Sequence, residues 1–263
     1  MYYESVLKRM PTELLQPVRY FLHTDEDFLI LNNLINKKLN IKFIKYQCLS
    51  CGADIRVFAQ GMCKKCYFES PQVGEWVMKP ELSKAHLGIE DRDLNYEQQM
   101  QLQPHVVYLA KTSDIKVGVT RQSQVPYRWI DQGADQAVVI MKTPNRFLAG
   151  KAEVTLKKHI TDKTGWQKML KGIKTNKDLL EVKNQMKDLI PEDLQIYWSK
   201  DDKITEIIYP VIKYPEKIKS INLEKTPQFE AVLTGIKGQY LLFDDGRVFN
   251  VRNHSGYVVG LEF

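Results

Sequence analysis

Apolar and polar positions alternate most cleanly at the two ends of the chain. Residues 18–22 and 39–46 place apolar side chains at every second position and 28–31 is a short apolar run, all three read as strands, with Asp25-Glu26-Asp27 and Asn32-Asn33 as the turns between them. Toward the other end, 204–213, 229–235, 239–243, 248–252 and 257–263 read as strands, and Asp245-Gly246 as a tight hairpin turn. Short isolated sheets are marginal in water, so the two ends are expected to pair into one β domain, a small barrel or sandwich, with the middle of the chain inserted. In that middle, the β-branched runs 106–110 and 115–120 flank Lys111-Thr112-Ser113-Asp114 and predict a hairpin. Pro126 fits the first position of a short helix and Gly133 the left-handed residue beyond its end, so Arg128 would project from that helix. A third strand is expected over 136–141. A helix follows over 146–160, with Leu148, Ala149, Ala152, Leu156 and Ile160 on one face. Helices over 166–173 and 176–190, the latter ended by Pro191, would cover the sheet. The fold class is α+β. The expected divisions are 1–46, N-terminal strands; 47–70, a cysteine-bearing ribbon; 71–103, a charged connector; 104–200, an α/β module with covering helices; and 201–263, C-terminal strands.

Length and composition agree with this picture, since 263 residues at 43% hydrophobic content can bury sizeable cores. No run approaches the roughly 18 apolar residues of a membrane helix, and the first residues lack the pattern of a signal peptide. A cytoplasmic protein without a membrane partner is expected. The net charge of +6 is unevenly spread: residues 101–203 hold 18 basic and 12 acidic side chains, whereas both flanks balance. Within 111–187 the count is 16 to 7. Such a concentrated positive field favours phosphate backbones, and Arg121, Lys151, Lys157 and Lys158 are the candidates for nucleic-acid contact. The same lysines, with Lys163, Lys168, Lys171, Lys174 and Lys177, would also serve simply to solvate helices.

The chain's four cysteines fall in one stretch, Cys48-Leu-Ser-Cys51 and, after eleven intervening residues, Cys63-Lys-Lys-Cys66. Two knuckles at this distance can set four thiolates tetrahedrally around one Zn2+, and Gly52 permits the tight turn that aims backbone amides at the sulfurs. Four thiolates leave no open position for water or substrate, so the expected role is structural. Arg56, Lys64 and Lys65 on the same ribbon could add phosphate contacts. His86, His105, His159 and His254 are each isolated and read as hydrogen-bonded structural residues.

One charge sits where none is expected. Glu153 falls within the apolar stripe of 146–160, and a buried carboxylate costs several kcal/mol unless paired, hydrogen-bonded or metal-bound. Arg128 is one candidate partner for a structural ion pair. The order of strand with Tyr108, hairpin, strand with Lys116-Val117-Gly118, helix with Arg128, third strand and helix with Glu153 also resembles the GIY-YIG nuclease superfamily. There, Val106-Val107-Tyr108 stands for Gly-Ile-Tyr and Lys116-Val117-Gly118 for Tyr-Ile-Gly; Tyr108 and Gly118 keep their identity. The hairpin is shorter than in the best-known members, and Lys116 replaces the second tyrosine. The whole chain also resembles an uncharacterised bacterial domain family of unknown function, through its Cys-x-x-Cys knuckles, Pro80-Glu81, Ala85-His86, the 116–121 segment and Arg128-Trp-Ile-Asp-Gln-Gly133.

What the nuclease resemblance implies is metal-dependent phosphodiester hydrolysis. Glu153 would hold Mg2+ or Mn2+, Arg128 would stabilise the developing charge, and Tyr108 would help deprotonate water. Lys116 would assist, because a tyrosine of unperturbed pKa about 10 is a poor base at neutral pH. The competing expectations are a DNA- or RNA-binding protein without catalysis and a protein-interaction scaffold.

Overall fold

Leu39 and Ile41 alternate with polar residues along strand Lys38–Tyr46 and are buried, which puts this strand inside a sheet with one face on a core. Its neighbours are Tyr257–Glu262 on one side and Gln228–Lys237 on the other, both antiparallel. In the computed structural model, which describes residues 1–25, 27–160 and 165–263, the two chain ends therefore do pair. Glu26 of the expected turn and Lys163 of the basic stretch lie outside the described residues. The full order of this seven-stranded sheet is Tyr2–Val6, Tyr257–Glu262, Lys38–Tyr46, Gln228–Lys237, Tyr240–Phe243, Arg247–Asn250 and Lys219–Ser220. The Met1 ammonium donates to the Phe263 carbonyl at 2.9 Å, closing the ends on each other.

The expected barrel does not form: the sheet stays open, with Tyr2–Val6 and Lys219–Ser220 at its edges. A small sheet of Thr12–Glu13, Arg19–His23 and Phe28–Ile30 adds Tyr20 and Leu22 to the same core, giving a sandwich-like arrangement. Of the expected strand over 204–213, Thr205–Glu206 pairs with Gln136 and Ala137, and Val211 bridges separately to Gly235 of the seven-stranded sheet.

A four-stranded sheet runs Ile115–Arg121, His105–Lys111, Gln136–Thr143, Thr205–Glu206. Strand His105–Lys111 is apolar on both sides and occupies an interior position. Val106, Tyr108 and Ala110 enter the core shared with the seven-stranded sheet, and Val107 and Leu109 enter a second core. That second core is closed by Ala149, Ala152 and Leu156 of helix Arg146–Lys157 and by Leu179 and Met186 of helix Leu179–Lys187. Helix Arg146–Lys157 stops three residues short of the expected end.

The stretch expected as an irregular connector is built from short turns and helices: Pro71–Val73, Glu75–Met78, Pro80–Leu82, Ala85–Leu87 and Leu94–Gln101. None would be stable alone at these lengths. Side-chain hydrogen bonds, local and long-range, hold them. The buried Glu97 carboxylate accepts the backbone N–H groups of Asp91, Arg92 and Asp93, and Arg92 donates to the carbonyls of Tyr67 and Ser70. Gly150 completes the seat, since a Cβ there would lie 2.3 Å from the backbone nitrogen of Glu81. Helix Arg146–Lys157 can thus approach the Pro80–Leu82 turn directly.

Candidate functional site

The ribbon brings its four cysteines together as their spacing predicts. The sulfurs of Cys48, Cys51, Cys63 and Cys66 all lie within 4.8 Å of one another, a donor set that could hold zinc. Gly52 takes φ 72°, and the Cys63 N–H donates to the Cys48 sulfur at 3.2 Å. Burial raises the Cys48 pKa, but N–H groups of Cys51, Cys63 and Ser50 outweigh it and pull the thiol down to about 6. The ribbon is tied to the seven-stranded sheet where the Gln47 N–H donates to the Gly256 carbonyl.

The residues singled out by the nuclease resemblance divide across the four-stranded sheet. Tyr108 and Gly118 are direct cross-strand partners, and a Cβ on Gly118 would come within 2.6 Å of the Tyr108 hydroxyl. Packing against the Tyr108 ring accounts for the glycine at 118. Tyr108 is wholly buried against Trp129, with ring centroids 5.9 Å apart, and its hydroxyl has no hydrogen-bond partner among the described residues. Burial raises its pKa; Arg128 and Gln132, close but outside bonding geometry, work against that. Lys116 shares the Tyr108 face of the hairpin, opposite Ala110, and is half-buried. Glu153 belongs to the helix on the opposite face. Its ion pair is with Lys157, at 3.3 Å, rather than with Arg128. Burial raises its pKa as well, with Lys157 and Arg146 opposing. Tyr108 and Arg128 are thus brought together, and Glu153 approaches the cluster through Arg146.

Arg128 opens onto something the sequence did not announce. A cleft of about 380 Å³ is lined by Arg9, Arg121, Arg128, Arg146 and Arg252, with Asp131 as the one carboxylate among the described lining residues. Asp131 is already engaged, accepting from Arg9 at 2.6 Å and from Gln239 at 2.9 Å. Arg146 lies over the Trp76 ring and donates to the carbonyls of Trp76 and Val77, and Arg121 donates to the Met100 sulfur. The cations feel one another: Arg146 is drawn down to about 10, first by burial and then, against Glu153, by Arg128 and Arg121. Arg252, exposed at the rim, is lowered by crowding on its inner side and by Arg128. Two like charges about 8 Å apart repel by roughly 2 kcal/mol at an effective dielectric near 20, and an anion between them reverses the sign.

Of the basic residues expected to meet nucleic acid, Arg121 lies in this cleft. Lys151 is paired with Asp193 and Lys157 with Glu153, while Lys158 is exposed just past the helix. Arg9 and Arg252 went unnoticed because each is a lone arginine in a charge-balanced flank. No local pattern marks them; only the pairing of the chain ends brings them near Arg128.

His105 sits beside the cleft, fully buried, donating from Nδ1 to the Gln103 carbonyl at 2.7 Å while Nε2 has no partner among the described residues. Burial, with Arg146 and Arg121 adding and the Gln103 bond opposing, lowers its pKa to about 4. The unfolded chain takes up this proton near pH 6.5 and the folded chain refuses it until about 4, so folding is favoured above the window and weakened on descending through it. The expected loss is about 1.4 kcal/mol per pH unit. Thermal unfolding of wild type and His105→Asn across this range should show a shallower acid slope in the variant; superimposable slopes would refute the assignment.

No curated protein and no solved structure matches the chain. A family model does match, over residues 36–259, a span that takes in the four cysteines and four of the five cleft arginines, Arg9 lying outside it. The chain belongs to that family, described as a protein of unknown function, DUF2797.

Proposed function

We propose that the protein binds nucleic acid through phosphates held in the arginine cleft, with one structural zinc ion in the cysteine ribbon. The observation that carries this reading is the five-to-one ratio of guanidinium to carboxylate groups in a concave, partly buried space. Arginine presents a planar fork of donors that suits phosphate oxygens, and a bound phosphate would relieve the mutual repulsion of the cluster.

Metal-dependent phosphodiester cleavage is the second reading. It draws support from the proximity of Tyr108 to Arg128 and from the influence of the Glu153 charge on both Tyr108 and Arg146. The Glu153 carboxylate would hold Mg2+ or Mn2+, which would polarise the phosphate. Against it, Tyr108 is buried with a raised pKa, and Glu153 lies beyond the sheet. Binding therefore fits the geometry better than hydrolysis.

For the ribbon, elemental analysis should find about one zinc per chain, and Cys63→Ser should lose it together with a large drop in melting temperature, since structural zinc supplies folding energy. Metal-free protein with an unchanged melting curve would contradict this. For the cleft, labelled DNA and RNA should bind with affinity that falls about twentyfold between about 50 and about 200 mM salt, as expected for roughly three neutralised phosphates. Replacing both Arg128 and Arg121 with Ala should weaken binding and flatten the salt dependence. Absence of binding at low salt would overturn the reading, and degradation of the probes only with Mg2+ or Mn2+ would favour the second one.

A further inference from the structure

The arginine cleft does not end at its own rim. Arg9, Gln60 and Arg252 also line a second hollow of about 640 Å³, whose other walls include Asn222, Asn250 and Asn253. Gln60, Asn253, Ser255 and Tyr257 are in turn shared with a third hollow of about 640 Å³, floored by residues 55–61 of the cysteine ribbon and by Lys64. Through these shared walls the three hollows adjoin in series, forming a groove-like path over the surface. It leads from five guanidinium groups, past amide side chains, to an aromatic cluster.

That cluster is Phe58, Tyr67 and Phe68, with ring centroids 5.3 to 5.6 Å apart. Phe58 and Phe68 are 53% and 57% exposed, an expensive way to use two phenylalanines unless something covers them. Arg56 and Lys64 lie in the same hollow. The acid there, Glu224, is already engaged by Arg56 at 3.1 Å and by the Tyr46 hydroxyl.

We infer that this groove is a track for single-stranded nucleic acid, with backbone phosphate in the arginine cleft and a base stacked on Phe58 at the ribbon end. The inference rests on the nucleic-acid reading above and specifies its substrate. Each part of the groove has chemistry for one part of such a strand. Guanidinium groups take phosphate, exposed aromatic rings take any base face, and the amides of Gln60 and Asn253 can meet base edges. A duplex fits poorly, because its bases are stacked within the helix and cannot reach Phe58, and its rigid backbone cannot enter a cleft of about 380 Å³ to reach the half-buried Arg146.

The test is fluorescence anisotropy on the full chain with a labelled ~12-nucleotide strand, its duplex, and unlabelled tripolyphosphate as competitor, a length within the usual range for one single-strand site. The strand should bind at least about tenfold more tightly than the duplex. Phe58→Leu should lose about fivefold or more of the strand affinity, the range expected for one lost base stack, and Phe58→Trp should retain it. The tripolyphosphate inhibition constant should stay unchanged in both, with zinc content as the check that the ribbon is intact. Arg128→Ala combined with Arg252→Ala should weaken strand and tripolyphosphate alike. Duplex bound as tightly as single strand, or Phe58→Leu bound like wild type, would overturn this inference and leave the broader reading standing. Binding of poly-glutamate with no binding of either oligonucleotide would overturn both.

Discussion

Five guanidinium groups that face one another across a small cleft constitute the most demanding electrostatic feature of this chain. They come from five separate places: the loop after the first strand, the end of the hairpin, the short helix Tyr127–Asp131, the start of helix Arg146–Lys157, and the turn Arg252–His254 before the last strand. Left free, such groups would move apart. Arg9 is pinned by Asp131, which Gln239 also holds, and Arg146 by two carbonyls and the Trp76 ring. The joining of the chain ends then fixes Arg9 and Arg252 relative to the hairpin. Keeping like charges close costs stability, and an anion bound between them would offset that cost.

The same constraint relates the ribbon to the rest of the molecule. Its loop carries Gln60, which lines all three hollows of the groove, and it is anchored to the seven-stranded sheet through Gln47 and Gly256. A zinc ion that ordered the four cysteines would therefore also fix one wall of the groove. A structural metal and a binding surface need not be separate features in a ribbon of this size.

Elements with local causes were legible in the sequence. The hairpin around Thr112-Ser113-Asp114, the helix bearing Arg128 closed by a left-handed Gly133, and the cysteine cluster all follow from a few adjacent residues, and each is present. Pairing of the two ends was inferable from the instability of short sheets. The connector was not, because its turns depend on Glu97 gathering three backbone N–H groups, which no residue pattern marks, and on Arg92 and Arg146, whose partners lie far away in sequence. The Glu153 expectation shows a different limit: helical periodicity correctly buried it, but could not tell a partner one turn away, Lys157, from one across the sheet, Arg128. Likewise, Tyr108 and Gly118 appeared as a signature, and in three dimensions they form a packing pair.

If unrelieved repulsion among the arginines is the central property of this molecule, an anion should stabilise it with no nucleic acid present. The direct measurement is the melting temperature in sulfate against chloride at matched ionic strength, for wild type and for Arg128→Gln combined with Arg252→Gln. Binding to the folded state alone raises stability by RT ln(1 + [L]/Kd). The account predicts a rise in melting temperature with sulfate in wild type that is largely lost in the double variant. An equal rise in both proteins would reflect general salt exclusion from protein surfaces and would contradict a built anion site.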